Sequence, residues 1–149
     1  RAVLCTSNGS KAVEAARGAT HLLLGSTVNA RAVAKFALER AEKSISIVCA
    51  GTLGEVSLDD ALGAAVIARE IQQLRQVEIV GDESHLMLQA LHGLDAPLAE
   101  QFRRAKHGQI VIDLGFEKDL TFAADQNTLQ QVAIRKDKNP ALFTSAGVI

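Results

Sequence analysis

The sequence predicts an α/β fold built on parallel strands, and three observations lead there. Three strand–loop–helix units follow one another over residues 2–17, 21–41 and 44–74, and strands joined through helices run parallel with right-handed crossovers. Of the 149 residues, 48% are hydrophobic, enough for one domain with a core of its own. Each predicted strand also ends in a small polar turn, and in such sheets the ligand sits beyond the carboxyl ends of the strands.

In the first unit, the apolar run 2–6 ends in Ser7-Asn8-Gly9-Ser10, and residues 11–17 have helical composition with Ser10 as N-cap. In the second, residues 21–24 form a strand, 25–29 its turn, and 30–41 a helix. That helix has Ala30, Val33, Ala34, Ala37, Leu38 and Ala41 on one face and Arg31, Lys35 and Glu39 outside. The third unit opens with β-branched alternation at Ile45, Ile47 and Val48, turns through Ala50-Gly51-Thr52-Leu53-Gly54, and enters a long helix at Ser57.

Beyond Leu74 the pattern is weaker. Residues 77–80 read as a short strand or a connection, and 82–91 as a helix with Leu86, Leu88 and Leu91 inward. Pro97 opens another helix running to about Ala105. Lys106-His107-Gly108 forms a polar break, 109–114 fits helix or strand, and Gly115 ends it. Residues 120–124 and 131–134 read as strands, the second followed by a charged turn at 135–138 and by Pro140.

The formal net charge is −1. Nucleic acid and anionic membrane surfaces normally demand a basic face, so neither is expected as a partner. No apolar run reaches the length of a membrane span and no signal peptide is recognisable at the start, so a cytoplasmic location is expected. Cys5 and Cys49 are then expected as free thiols. The chain begins at Arg1, directly before a strand-like run, and that start reads as cut.

The third unit carries the strongest chemical signal. Two glycines let a backbone approach a ligand closely, and a helix N-terminus offers N–H groups to an anion. Glu55, Asp59 and Asp60 bring carboxylates to the same place. Acids beside an anion-binding backbone suit an anionic substrate bridged by a divalent cation. A structural alternative stays open: Ser57-Leu58-Asp59-Asp60 also reads as a capping box, with Asp60 reaching back and Asp59 and Glu55 freer to face the loop. Asn8, Asn29 and Thr52 place amide and hydroxyl groups at three equivalent edges, although Asn8-Gly9 also suits a simple turn. His107, beside Gly108 and Lys106, is the histidine best placed for acid–base work near neutral pH.

Four blocks carry a resemblance. SNGSKAV at 7–13, STVNARAVA at 26–34, VCAGTLGEVSLDDALGAA at 48–65 and HGQIVIDLGFEKDLTFAA at 107–124 resemble, in order and spacing, the 2-phosphosulfolactate phosphatase family. The resemblance implies a three-layer α/β/α fold with a largely parallel sheet and some mixed strands toward the C-terminus. It also implies a magnesium-dependent phosphatase that releases phosphate from 2-phosphosulfolactate, a step toward coenzyme M. The family is longer at the N-terminus, so residues 1–149 are expected to form one α/β domain from the C-terminal part of a longer enzyme. Cys5 stands where the family commonly has Thr, Ser10 replaces Thr, and Asp59 replaces Glu.

On this basis Asp60, with Asp59 or Glu55, is expected to hold Mg²⁺ and to take part in catalysis. Asn8, Gly9, Ser10, Asn29, Gly51, Thr52 and Gly108 are expected to bind the anionic substrate. His107 is expected to protonate the leaving oxygen. The expected partner is a small phosphoester, and exposed apolar surface favours a homodimer. The competing expectation is a non-catalytic anion-binding α/β module, which magnesium-dependent turnover distinguishes.

Overall fold

In the computed structural model, which describes residues 6–92, 96–138 and 141–147, helix α2 (Ala30–Arg40) is buried on two sides. Ala30, Ala34 and Leu38, spaced four apart, meet Val66, Ile67 and Ile71 of α3 (Leu58–Leu74). Small residues along that row let the two helix axes approach closely. Ala32, Val33 and Phe36 turn the other way, onto Val132, Leu23, Ile134 and Ala146 of a small sheet. The sequence pattern assigns α2 one inward face; the sheet supplies the second.

That sheet is antiparallel, with strand order β1 (Leu23–Leu24), β2 (Gln131–Lys138) and β3 (Ala141–Gly147). The chain is mixed α/β, and the ladder found among the described residues is this small antiparallel one; the expected parallel arrangement is not seen there. Residues 44–50, which the β-branched pattern reads as a strand, and 76–80, which it reads as a strand or a connection, belong to no ladder among the described residues. Extended propensity makes a strand only where a neighbour completes its hydrogen bonds. The strand expected over 2–6 lies, except for Thr6, outside the described residues, as does Pro140.

Further helices complete the order: α1 (Gly9–Ala15), α4 (Asp82–His92), α5 (Leu98–Arg104), α6 (Lys106–Asp113) and α7 (Glu117–Ala124). The expected break at 106–108 is instead the first turn of α6, and the expected strand at 120–124 belongs to α7. Glu117 and Asp119 favour a first helical turn. Leu120, Ala123 and Ala124 then fall on one helical face, against Leu62 and Phe102. In α4, Leu88 is buried whereas Leu86 is 69% exposed. Residues two apart point to nearly opposite sides of a helix, so both could not face inward.

The segment between α7 and β2 is strapped to the helices by polar groups. Asn127, in the left-handed region at φ 62°, accepts from the Arg31 backbone N–H at 2.7 Å and donates to the Glu70 carboxylate at 2.9 Å. Its own N–H donates to the Thr27 carbonyl. Glu70 is buried on α3 and lies 3.6 Å from the Arg31 guanidinium. Thr27 donates its hydroxyl to the Ala123 carbonyl. These contacts hold the approach to β2 against both α2 and α7.

Leu62 is 1% exposed at the centre of the α3–α5–α7 cluster. Leu62→Ala is expected to lower unfolding stability by about 2–5 kcal/mol. Leu86→Ala should change it by less than about 0.5 kcal/mol; urea denaturation of the two variants measures the difference.

Candidate active site

The loop between residues 44–50 and α3 is a tight hairpin. Thr52 and Glu55 exchange both backbone hydrogen bonds at 3.0 Å, with Leu53 at φ 55° and Gly54 at φ 88° between them. Positive φ at both central residues is the signature of a primed two-residue turn. Gly51 has φ 67°, and a Cβ there would lie 2.6 Å from the Glu55 carbonyl oxygen. The glycines here shape the hairpin, and only a residue lacking a side chain fits at Gly51.

The hairpin is tied to the first turn of α3 in a way that reverses the capping-box expectation. Ser57 is the N-cap residue, but no side-chain capping bond forms. Its hydroxyl donates to the Asp59 carboxylate and accepts from the Thr52 hydroxyl at 3.2 Å. Asp60 turns to the loop, where its Oδ2 accepts the Gly51 N–H at 2.6 Å. A carboxylate accepting a backbone N–H makes a charge-assisted bond.

His107 and Lys106, from the start of α6, close the other side. The Nδ1 of His107 lies 3.6 Å from Asp59 Oδ2, too far for a hydrogen bond but close enough for electrostatic attraction once the ring is protonated. Lys106 Nζ lies 3.8 Å from Glu55, with both side chains largely in solvent. Asn8 joins from the N-cap of α1, its Oδ1 accepting the Leu53 N–H at 3.3 Å. Asn8, Gly51, Thr52, Glu55, Asp59, Asp60 and His107 therefore converge, from three separate parts of the chain.

Other predicted residues have different duties. The Asn29 side chain accepts the Ser26 N–H at 2.8 Å and donates to the Gln131 carbonyl at 3.0 Å. Its amide thus ties the turn before α2 to β2. In α1, Gly9 is the first helical residue, and the Ser10 N–H donates to the Thr6 hydroxyl at 3.1 Å. Gly108 is buried, and a Cβ there would lie 1.8 Å from the Phe102 carbonyl oxygen. Its lack of a side chain lets α6 cross the end of α5, which is what sets His107 beside Asp59.

Two contributors have no distinct sequence signal of their own. The Ser57 hydroxyl links Thr52 to Asp59, and Cys49 sets its thiol 3.7 Å from the Asp60 carbonyl. Burial, and then the Asp60 charge, raise the Cys49 thiol above its ordinary value of 9.0. It is therefore held as the neutral thiol near neutral pH and is a poor nucleophile. Burial also pushes the Asp60 carboxyl above its ordinary 3.8; the Gly51 N–H opposes this, Asp59 adds to it, and His107 opposes it. Two adjacent carboxylates, one of them desolvated, have an electrostatic use for a bound cation.

The profile of the family described as 2-phosphosulpholactate phosphatase matches residues 1–138. The chain belongs to this family. Among curated relatives of the 2-phosphosulpholactate phosphatases, the protein of Deinococcus radiodurans is 40% identical over 129 residues, covering 86% of this chain and 53% of the relative. That of Thermus thermophilus is 37% identical over 123 residues (82% and 51%), and that of Clostridium perfringens strain SM101 is 32% identical over 132 residues (87% and 51%). Each is named "Probable 2-phosphosulfolactate phosphatase". The chain thus spans about half the length of the curated relatives it matches.

Because the Asp60 pKa is raised on folding, the folded chain holds that proton more tightly than the unfolded chain. Stability contributed below the ordinary value is lost as pH rises through the shifted one. Asp60→Asn removes this loss and keeps an oxygen for the Gly51 N–H. The variant should match the parent at about pH 3 and exceed it once the parent carboxyl ionises, as read from urea midpoints across pH. A variant weaker than the parent by the same amount at every pH would contradict this account.

Proposed function

We propose that this chain carries the catalytic carboxylates and the proton donor of a phosphoric monoester hydrolase, with 2-phosphosulfolactate as substrate and sulfolactate and phosphate as products. The observation that carries the reading is the meeting of Asp59 and Asp60 with His107 across a hairpin that Asp60 itself anchors. Family membership supports the reaction class.

In the proposed mechanism a water oxygen bonds to phosphorus as the ester P–O bond breaks. The attacking water gives up one proton to solvent, and the leaving oxygen of the substrate takes one. His107 is half exposed and has Nδ1 toward Asp59, leaving its other ring nitrogen to face that oxygen. Asp59 faces Nδ1 and orients the ring, and the Ser57 hydroxyl steadies Asp59 in turn. Lys106 stands beside the same face as a mobile cation for the phosphate or the sulfonate.

The donor set fits a magnesium ion, which commonly takes one or two protein carboxylates and completes its shell with water and substrate oxygens. Asp60 and Asp59 are the proposed ligands; Glu55 is 76% exposed and paired with Lys106, which makes it the weaker third. Bound there, Mg²⁺ would neutralise phosphoryl charge and polarise the phosphorus. The chain is proposed to work in the cytoplasm, without nucleic acid, and as a dimer. Residues 44–50 and 76–80 are in this reading strands of the larger parallel sheet of a three-layer fold.

A second reading is a non-catalytic anion-binding module built on the same hairpin and helix N-terminus. Phosphate release from 2-phosphosulfolactate with Mg²⁺ and with EDTA decides between the two. The phosphatase reading expects turnover that EDTA abolishes, and a loss of about 10²–10⁴-fold in kcat for His107→Ala. Activity unchanged in that variant removes His107 from the mechanism; phosphate binding with no turnover supports the module.

A further inference from the structure

The ion pair between Glu55 and Lys106 lies at the outer edge of the candidate site. Glu55 closes the hairpin, exchanging both backbone hydrogen bonds with Thr52, and Lys106 is the first residue of α6. Their side chains are 76% and 79% exposed, with Nζ 3.8 Å from Oε2. One residue further along α6, His107 faces Asp59, and these two side chains are 51% and 31% exposed. The hairpin end of α3 and the start of α6 therefore face each other through two charged contacts. The Glu55–Lys106 pair is the outer one, so an anion approaching the carboxylates and His107 meets it first.

An ion pair this exposed contributes little and exchanges easily, because both groups stay hydrated and both long side chains lose freedom in pairing. Lys106 is thus held lightly, by a carboxylate that a better-placed anion can replace. Under the proposed reaction the substrate carries a phosphate, a carboxylate and a sulfonate. The phosphate belongs with the metal and His107, which leaves the other two acids for the rim. An ammonium is a compact point charge with three donors, suited to a three-oxygen sulfonate, whereas the planar carboxylate is best met by the fork of a guanidinium. We propose that Lys106 binds the sulfonate of the substrate, and that Glu55 is its resident competitor, displaced from Lys106 as the sulfonate arrives. Glu55 then works against anions that do not reach Lys106, a repulsive element of the kind that specificity needs beside an attractive one. The inference rests on the phosphatase reading for its substrate, and it gives Glu55 a task apart from the metal.

Affinity for sulfolactate, which keeps the sulfonate and lacks the phosphate, tests this apart from turnover. Calorimetric titration in Mg²⁺ compares the parent chain with Glu55→Gln, Lys106→Met and the double variant. Lactate, a carboxylate without the sulfonate, and isethionate, a sulfonate without the carboxylate, are titrated beside it. Glu55→Gln should tighten sulfolactate by up to about fivefold, the range that an exposed ion pair covers. Lys106→Met should weaken sulfolactate and isethionate by a similar factor and lactate by less. In the Lys106→Met background the gain from Glu55→Gln should vanish, because the two substitutions then act on one contact. Weaker sulfolactate binding in Glu55→Gln overturns the proposal. So does a gain of the same size without Lys106, which would make Glu55 a repelling charge and no competitor. A dependence on Lys106 that appears with lactate and not with isethionate assigns the lysine to the carboxylate and overturns the sulfonate assignment. Absence of sulfolactate binding in the parent overturns it as well. The phosphatase reading fails by another sign, no phosphate released from 2-phosphosulfolactate while this pattern of binding stands.

Discussion

The structure depends on the seam between α2 and α3. Ala30 and Ala34 are small enough for Val66, Ile67 and Ile71 to pack directly onto the α2 backbone, and the seam orients everything attached to either helix. On the far side of α2, Phe36 and Val33 carry the sheet; one turn before Val66 on α3, Leu62 carries α5 and α7. Each helix is thus shared between two clusters. A change in the seam would be felt at both the sheet and the candidate site.

The site is an electrostatic arrangement placed on that frame. The N-terminus of α3 presents two successive carboxylates, and the ordinary response of such residues is to cap their own helix. Here Asp60 bonds the hairpin and Asp59 takes the Ser57 hydroxyl. The helix loses a side-chain cap and the loop gains an anchor. The consequence is a desolvated carboxyl with a raised pKa beside a second carboxylate, close to a histidine and a lysine brought by α6. Such a set can hold a cation and handle a proton, which is the chemistry proposed for it.

The same frame explains why glycine matters at two separate places. At Gly51 a positive φ and the nearby Glu55 carbonyl admit no side chain. At Gly108 the backbone is ordinary, but the Phe102 carbonyl lies where a Cβ would be. The first glycine shapes the loop that Asp60 anchors, and the second allows the helix crossing that delivers His107. Neither has to touch a substrate for the site to depend on it.

The helices α2 and α3, the turn at Gly51 to Gly54, and the meeting of Asn8, Asp59, Asp60 and His107 were legible in the residues, because helical periodicity and turn chemistry are local and the four blocks recur as a family pattern. The role of Asn29 was not legible. Its amide chooses between a ligand and the Gln131 carbonyl, 102 residues away, and sequence carries no measure of that distance. Nor was the helix over 120–124, where Leu120 gained Leu62 and Phe102 as neighbours and contact outweighed the β propensity of a Leu-Thr-Phe run. The direction of Asp60 and the pairing of the strands were settled the same way. Local sequence determines which backbone shapes are cheap and which groups are charged; which partner each group meets depends on the packing of segments far apart in the chain, where hydrogen bonds and burial are won only by the groups that packing brings together.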